Sequence, residues 1–410
     1  MQQNKPHSLF NIVLIVAALG YFVDIYDLLL FSIIRVPSLS SMGLSAEMIT
    51  DRGEFIITCQ MAGLLIGGIL WGVLGDKKGR LSVLFGSIIL YSLANIANGF
   101  VQTTDQYALM RFIAGIGLAG ELGAGITLVS EITPKEKRGI ATSLVAGIGL
   151  TGAVFAFIIK ANVASWRTCY FIGGGLGMLL LILRISVFES GMFNEVKKMN
   201  VQRGNFFMLF NNRERFFRYM QSIFIGLPTW FVIGILITFS KEFGEKFGIK
   251  EKIDSGKAIM YAYIAIAVTD ALIGFISQWF RSRKKAMYLF YAFTILFMIL
   301  YFTVQWNGSA AGMYLICAGL GFGTGFWAIF VTMGAEQFGT NLRATATTTI
   351  PNMVRGMLAI FMIPLFKFLR EYTDYITAGW IAGIIIMLIA TVSLVYIKET
   401  FHKDLNFIEE

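Results

Sequence analysis

Charge is what this sequence has least of. Asp, Glu, Lys and Arg make up 14% of its 410 residues, against about 25% in an ordinary soluble domain. Histidine is nearly absent: His7 and His402 lie near the two ends, outside every apolar stretch, so proton transfer through an intramembrane imidazole is not expected. The three cysteines, Cys59, Cys169 and Cys317, are far apart in apolar surroundings. They have neither metal nor redox spacing and read as small buried hydrophobes. There is no Ser–His–Asp set, no metal-ligand cluster and no phosphate-binding glycine loop. A hydrolase and an ATP-driven pump are therefore not expected, nor is any metal or cofactor.

What is present is apolar length. Hydrophobic residues make up 56% of the chain, with 43 glycines and 37 phenylalanines but only 6 prolines, a composition suited to closely packed membrane helices. A helix needs about 20 apolar residues to cross the hydrocarbon core. Twelve segments meet that length, at roughly 10–34, 54–75, 81–101, 106–129, 139–161, 167–188, 218–240, 258–279, 286–305, 311–334, 346–368 and 376–397. The first follows Lys5 and His7 and is too long for the apolar core of a cleaved signal, so it reads as a retained helix.

The net charge of +9 does not point to nucleic acid, because the basic residues recur in short clusters between apolar segments. Lys77, Lys78, Arg80, Lys135, Lys137 and Arg138 fall on one side, with Lys197, Lys198, Arg203, Arg213 and Arg215 of the central loop. Arg281, Arg283, Lys284, Lys285, Arg343, Lys398 and Lys403 join them. Basic residues gather on the cytoplasmic side. The expectation is a multi-pass protein of a bacterial inner membrane with both termini cytoplasmic, a monomer whose surroundings are the lipid bilayer.

The chain repeats internally. Gly115 and Gly117 of the fourth segment return as Gly319 and Gly321 of the tenth, 204 residues on. Glu131 and Arg138 return as Glu336 and Arg343, 205 residues on, and Gly72-x-Leu74-x-Asp76 has an echo in Gly274-x-Ile276-x-Gln278. The fold class expected is all-α, two bundles of six helices: residues 1–188, a cytoplasmic linker 189–217 carrying a short surface helix, and residues 218–410. Parallel repeats of this kind place a binding site at their interface near the midplane.

The stretch Gly72-Val73-Leu74-Gly75-Asp76-Lys77-Lys78-Gly79-Arg80 resembles the signature loop of the major facilitator superfamily at every position of Gly-x-Leu-x-Asp-x-x-Gly-Arg. The resemblance spans essentially the whole chain. It implies a gating latch in which Gly72 and Gly79 permit a tight turn, and Asp76 faces the positive end of the eleventh helix, tethered by Arg80. Glu131 and Arg138 belong to the same gating set. Tyr26-Asp27, Arg111-x-x-x-Gly115-x-Gly117, Gly120-Glu121, Trp166-Arg167, Glu189-Ser190 and Lys398-Glu399-Thr400 are similar to the sugar-porter and metabolite:proton symporter branches. The fifth helix carries Gly147 and Gly152 with no neighbouring proline, which departs from the drug:proton antiporters. Gln278 stands where the latch acid would be in the second half, so a weaker latch is expected there.

Ionisable groups inside a membrane cost about 2.5–3.5 kcal/mol on insertion scales and call for a partner or a function. Six stand out: Asp24, Asp27, Arg111, Glu121, Asp270 and Arg355. At about 1.5 Å per residue, Asp27 and Arg111 come to similar depths on the outer side of the midplane, and are expected to pair. Contact with Arg111 would hold Asp27 ionised; separation would let it take a proton. A static structural pair is the alternative. Asp24, one turn from Asp27, is a second proton carrier or a ligand for a substrate amine. Glu121 is a proton relay, a substrate ligand, or a structural contact to the fifth helix. Asp270 and Arg355 lie within about 3–5 Å of their helix centres and form a possible second pair. Arg355 alone suits a substrate carboxylate, since its planar fork matches two oxygens. Trp230 after Gly226-Leu-Pro228-Thr229, Trp327 after Gly325-Phe326, and the polar Tyr26, Gln60 and Asn352 complete the expected substrate-binding set.

The expectation that follows is proton-coupled uptake of a small polar metabolite by alternating access. Acids and arginines in one cavity suit an organic anion or a zwitterion such as an amino acid better than a neutral sugar, beside which unpaired charges would be costly. An exporter of the same fold, or a receptor that senses a nutrient without moving it, are the rival readings.

Overall fold

The computed structural model describes residues 12–134, 137–184, 205–304, 308–404 and 406–409. Twelve helices among them are long and apolar enough to cross a membrane. They are α1 (Leu14–Ser41), α2 (Met48–Lys78), α3 (Leu81–Asn98), α4 (Thr104–Ile132), α5 (Gly139–Asn162), α6 (Trp166–Leu183), α7 (Arg213–Ile237), α8 (Ser255–Phe280), α9 (Arg283–Thr303), α10 (Ala310–Gln337), α11 (Arg343–Tyr372) and α12 (Tyr375–Tyr396). No strand occurs among the described residues. The chain is an all-helical, multi-pass membrane protein.

Polar residues in the short connections start most of these helices. Ser45, Ser165, Ser282 and Ser309 each accept a backbone N–H of the first turn. Thr103 and Gln106 form a reciprocal capping box at α4, satisfying two otherwise orphaned donors. Asn212 accepts the N–H groups of Glu214 and Arg215, so α7 begins at Arg213, ahead of the apolar run. Only the end of the expected linker is described. It holds a short 3-10 turn, Phe206–Leu209, while Glu189, Ser190, Lys197, Lys198 and Arg203 lie outside the described residues. At the other extreme α1 runs to Ser41 rather than ending near residue 34. Arg35 is buried there and pairs with Glu242 at 2.8 Å, which lets the helix continue past a charge.

Helices α7, α10 and α11 of the second half are broken. Helix α7 passes through Gly226 and Pro228 into a π-helical stretch, Val232–Ile237. Helix α10 interrupts between Gly323 and Trp327, and α11 contains a π-helical stretch, Leu358–Met362, after Pro351. Such irregular turns concentrate at functional sites.

The halves meet along two seams that the internal repeat relates: α2 against α11, and α8 against α5. A Cβ added at Gly72 would lie 3.0 Å from Thr345 Cα, and one at Gly274 would lie 2.6 Å from the Gly139 carbonyl oxygen. The glycine echo is thus one structural position used twice, wherever a helix of one half touches the backbone of the other. Gly274→Ala is expected to be the more damaging change, since its Cβ would lie closer to backbone, 2.6 Å against 3.0 Å, at about 1–3 kcal/mol for overpacking. A fall in the thermal unfolding midpoint larger than that of Gly72→Ala checks it.

Candidate functional site

Two buried charge clusters lie along α1. In the first, Arg111 of α4 donates to Asp27 Oδ1 at 3.1 Å and to the Asp27 carbonyl at 3.4 Å. Its other terminal nitrogen donates to Asn95, and its guanidinium lies 4.7 Å from the centre of the Tyr170 ring. Both partners are fully buried. Asp27 Oδ2 has no hydrogen-bond partner among the described residues. Removing either member of such a pair strands the other charge, which typically destabilises a protein by about 3–5 kcal/mol.

The second cluster is built on Arg355. Its acid partner is Asp24, at 4.0 Å, not Asp270. Asp270 is instead held by the break in α10, where its Oδ1 accepts the Ala328 N–H at 2.8 Å. The expected Asp270–Arg355 pair is therefore corrected: the orphaned donors of an interrupted helix take the carboxylate first. The guanidinium of Arg355 lies 5.7 Å from the Trp230 ring centre and 5.8 Å from that of Trp327. The two indoles meet edge to face, 6.5 Å apart. The breaks in α7 and α10 fall beside these tryptophans, and that in α11 follows Arg355 within the next turn. Tyr21 and Tyr263 stand in the field of the same charges.

This second cluster holds many unsatisfied atoms. Both oxygens of Asp24, Asp270 Oδ2, Arg355 Nε and Trp327 Nε1 are buried without a hydrogen-bond partner among the described residues. Buried polar groups are nearly always paired, so each exception needs a reason. Here donors and acceptors converge beside two apolar indole faces.

Three other expected ligands are committed elsewhere. The Tyr26 hydroxyl donates to the Cys169 carbonyl at 2.7 Å. Tyr26 is two residues from Asp24, hence about 200° around the helix and on its far face. Gln60 Nε2 donates to the Leu28 carbonyl at 3.0 Å. Asn352 donates to the Ala119 carbonyl at 2.7 Å, and its Oδ1 accepts from Arg355 at 3.3 Å, so it positions the arginine while stitching α11 to α4. Glu121 is not held by the backbone of α5. It forms a two-point pair with Arg184 at the end of α6. The pair abuts α1 at Gly20, where an added Cβ would lie 2.0 Å from both side chains. Arg184 escaped the sequence reading because a basic residue at a helix end looks like a loop charge. Its signal was its place inside the sixth apolar segment.

The cluster is enclosed by contacts between the halves at both ends. On the Gly72–Arg80 face, Asp76 accepts the N–H groups of Ala344 at 3.1 Å and Thr345 at 2.7 Å, at the start of α11. Glu131 pairs with Arg343 at 3.4 Å. Gly79 holds φ 102°, a left-handed conformation that favours glycine. The side chains of Arg80 and Arg138 lie outside the described residues. On the opposite face Arg35 pairs with Glu242, Lys160 with Asp254 at 3.0 Å, and Glu54 with Lys367 at 2.6 Å and Arg370 at 3.5 Å. The acids and arginines of both clusters are at most 1% exposed.

Known proteins carry this architecture. The proton:xylose symporter XylE, solved with a bromodeoxyglucose, superposes with a TM-score of 0.76 over 96% of this chain and 97% of its own, at 17% identity. That likeness establishes the fold alone. The benzoate transport protein of Acinetobacter baylyi is 29% identical over 206 residues, 48% of this chain and 43% of its own. The sialic acid transporter NanX of Escherichia coli is 32% identical over 204 residues, 48% of this chain and 47% of its own. The chain spans about half the length of the curated relatives it matches. The family model described as Major Facilitator Superfamily matches residues 15–364, which takes in the signature loop and both charge clusters, and the chain therefore belongs to that superfamily.

Proposed function

We propose that this protein is a secondary transporter that moves a small organic carboxylate together with a proton, by alternating exposure of the Arg355 cluster to the two faces of a bacterial inner membrane. The observation that carries this reading is the arginine beside two tryptophans, with unsatisfied donors and acceptors around it. A guanidinium offers two parallel N–H groups to a carboxylate. Indole faces supply apolar area for the rest of the molecule and favour a flat, aromatic body. Trp327 Nε1 is a further donor, and Asp270 Oδ2 suits a hydroxyl or ammonium hydrogen at the substrate's far end. A benzoate carrier and a sialic acid carrier among the relatives both handle acids, which supports the same choice.

Coupling is assigned to α1, which carries both Asp24 and Asp27. In the closed state each faces an arginine of a different helix, Arg355 of the second half and Arg111 of the first. A carboxylate substrate competes with Asp24 for Arg355, since both are anions seeking one cation. Protonating Asp24 removes that competition directly, and protonating Asp27 releases α1 from Arg111; either leaves substrate and proton bound together. Glu121, paired with Arg184 one turn below Asp24, extends the line of ionisable groups toward the Gly72–Arg80 face. Asp76, Glu131 and Arg343 act as the latch that opens there. Basic residues concentrated on that face, from Lys77 through Arg283 to Lys403, support a cytoplasmic placement of both termini.

Purified protein in liposomes tests the reading. Labelled benzoate is expected to enter faster than it enters protein-free liposomes when the interior is alkaline, and to raise the thermal unfolding midpoint in detergent by binding the folded state alone. Equal accumulation of a neutral sugar and no effect of benzoate would end it.

A further inference from the structure

On the face opposite the Gly72–Arg80 loop, a cavity of about 540 Å³ opens between the halves. Its apolar wall is Ile33 and Val36 of α1, and its rim carries Lys160, Lys241, Lys252 and Asp254. The three cations come from three separate elements: the end of α5, the short helix Ser240–Lys246, and the connection before α8. Lys241 has Glu245 at 3.8 Å, a loose pair on an exposed helix face. Ser255 Oγ, on the cavity wall, is buried without a hydrogen-bond partner among the described residues.

Lys160 meets Asp254 across the seam at 3.0 Å, through Oδ2. The other oxygen of Asp254 is occupied differently. Oδ1 accepts the N–H groups of Gly256 at 2.8 Å and Lys257 at 3.4 Å, capping α8. The ionic contact is thus detachable. Asp254 keeps its cap when Lys160 leaves, and Lys160 is then open to another carboxylate. We infer that this cavity is a loading site for the organic carboxylate, and that the arriving anion takes Lys160 from Asp254 and so unfastens the two halves on this face. Lys241 and Lys252 raise the local concentration of anions, as a cleft lined by one sign of charge does. The inference rests on the carboxylate reading above, and gives substrate arrival a direct part in opening the gate.

The two members of the bridge separate this idea from a plain structural latch, because their removal acts in opposite directions. Lys160→Gln removes the anion's partner. In benzoate uptake by liposomes it is expected to raise KM about three- to fivefold, the size of a partly exposed ion pair. Asp254→Asn retains an oxygen for the α8 cap but no longer competes for Lys160, so KM falls or stays level. Raising salt from about 20 to about 300 mM is expected to raise the wild-type KM more steeply than that of Lys160→Gln, in which Lys241 and Lys252 still attract the anion. A rise of KM in both variants, or an unchanged KM in Lys160→Gln, would overturn the loading site while leaving transport intact. No uptake of benzoate by the wild type would overturn the carboxylate reading and the loading site together.

Discussion

Arg355→Gln is expected to abolish saturable carboxylate uptake. Truncating one side of a buried charge pair typically costs about 2–5 kcal/mol, at least about thirtyfold in apparent affinity. Lys is not expected to rescue, since an ammonium is a point charge with no planar fork. A second effect accompanies the first. Without Arg355, Asp24 is a buried acid whose cationic partner at 4.0 Å has gone, and the protein loses stability. The double variant Asp24→Asn with Arg355→Gln separates the two. It is expected to recover the thermal midpoint but not the uptake. Recovery of uptake would show that Arg355 only neutralises Asp24 and does not hold the substrate. Benzoate quenching of tryptophan fluorescence gives an independent readout, since Trp230 and Trp327 flank the same guanidinium.

Asp27→Asn is expected to abolish accumulation driven by a pH gradient while exchange of internal for external substrate continues. For one proton per substrate, a gradient of one pH unit supports about tenfold accumulation; the variant's initial uptake above that of protein-free liposomes should no longer respond to the gradient. Asn retains an oxygen for Arg111 at the position now 3.1 Å away, which keeps the hydrogen bond and removes the titration but leaves the Arg111 charge unbalanced, so a lower thermal midpoint accompanies the change. Proton-driven uptake at the wild-type level would take Asp27 out of the mechanism and leave Asp24 as the acid to test. The Asp27–Arg111 pair would then be static, one of the alternatives that the residue pattern left open.

The two experiments bear on different kinds of information. That Asp27 and Arg111 reach the same level is a matter of counting residues along two helices, and it was available from the sequence. Which acid Arg355 faces was not. Asp270 and Asp24 lie at comparable depth, and the choice between them turns on the break in α10. There an orphaned first-turn N–H captures Asp270, leaving Arg355 to α1. The glycines around that break were visible, but not that a carboxylate of α8 would cap it. The side-chain donors of Tyr26, Gln60 and Asn352 reach backbone carbonyls of neighbouring helices, a rotation about the helix axis that counting residues does not give. Arg184 lay in plain view at the edge of an apolar segment, where a structural charge and a loop charge look the same.

Hydrophobic length is a local property. The twelve spans, the twofold repeat and the signature loop could therefore be read along the chain, because lipid admits only segments whose backbone is satisfied within themselves. Partnership between charges is not local. It depends on how each helix is rotated about its axis, and on where α7, α10 and α11 depart from regular geometry. Gly226, Pro228, Gly325 and Pro351 allow those departures, but which side chains they bring together depends on packing between helices remote in the chain, and so the tertiary structure alone decided that Arg355 stands beside two tryptophans with Asp24 across from it.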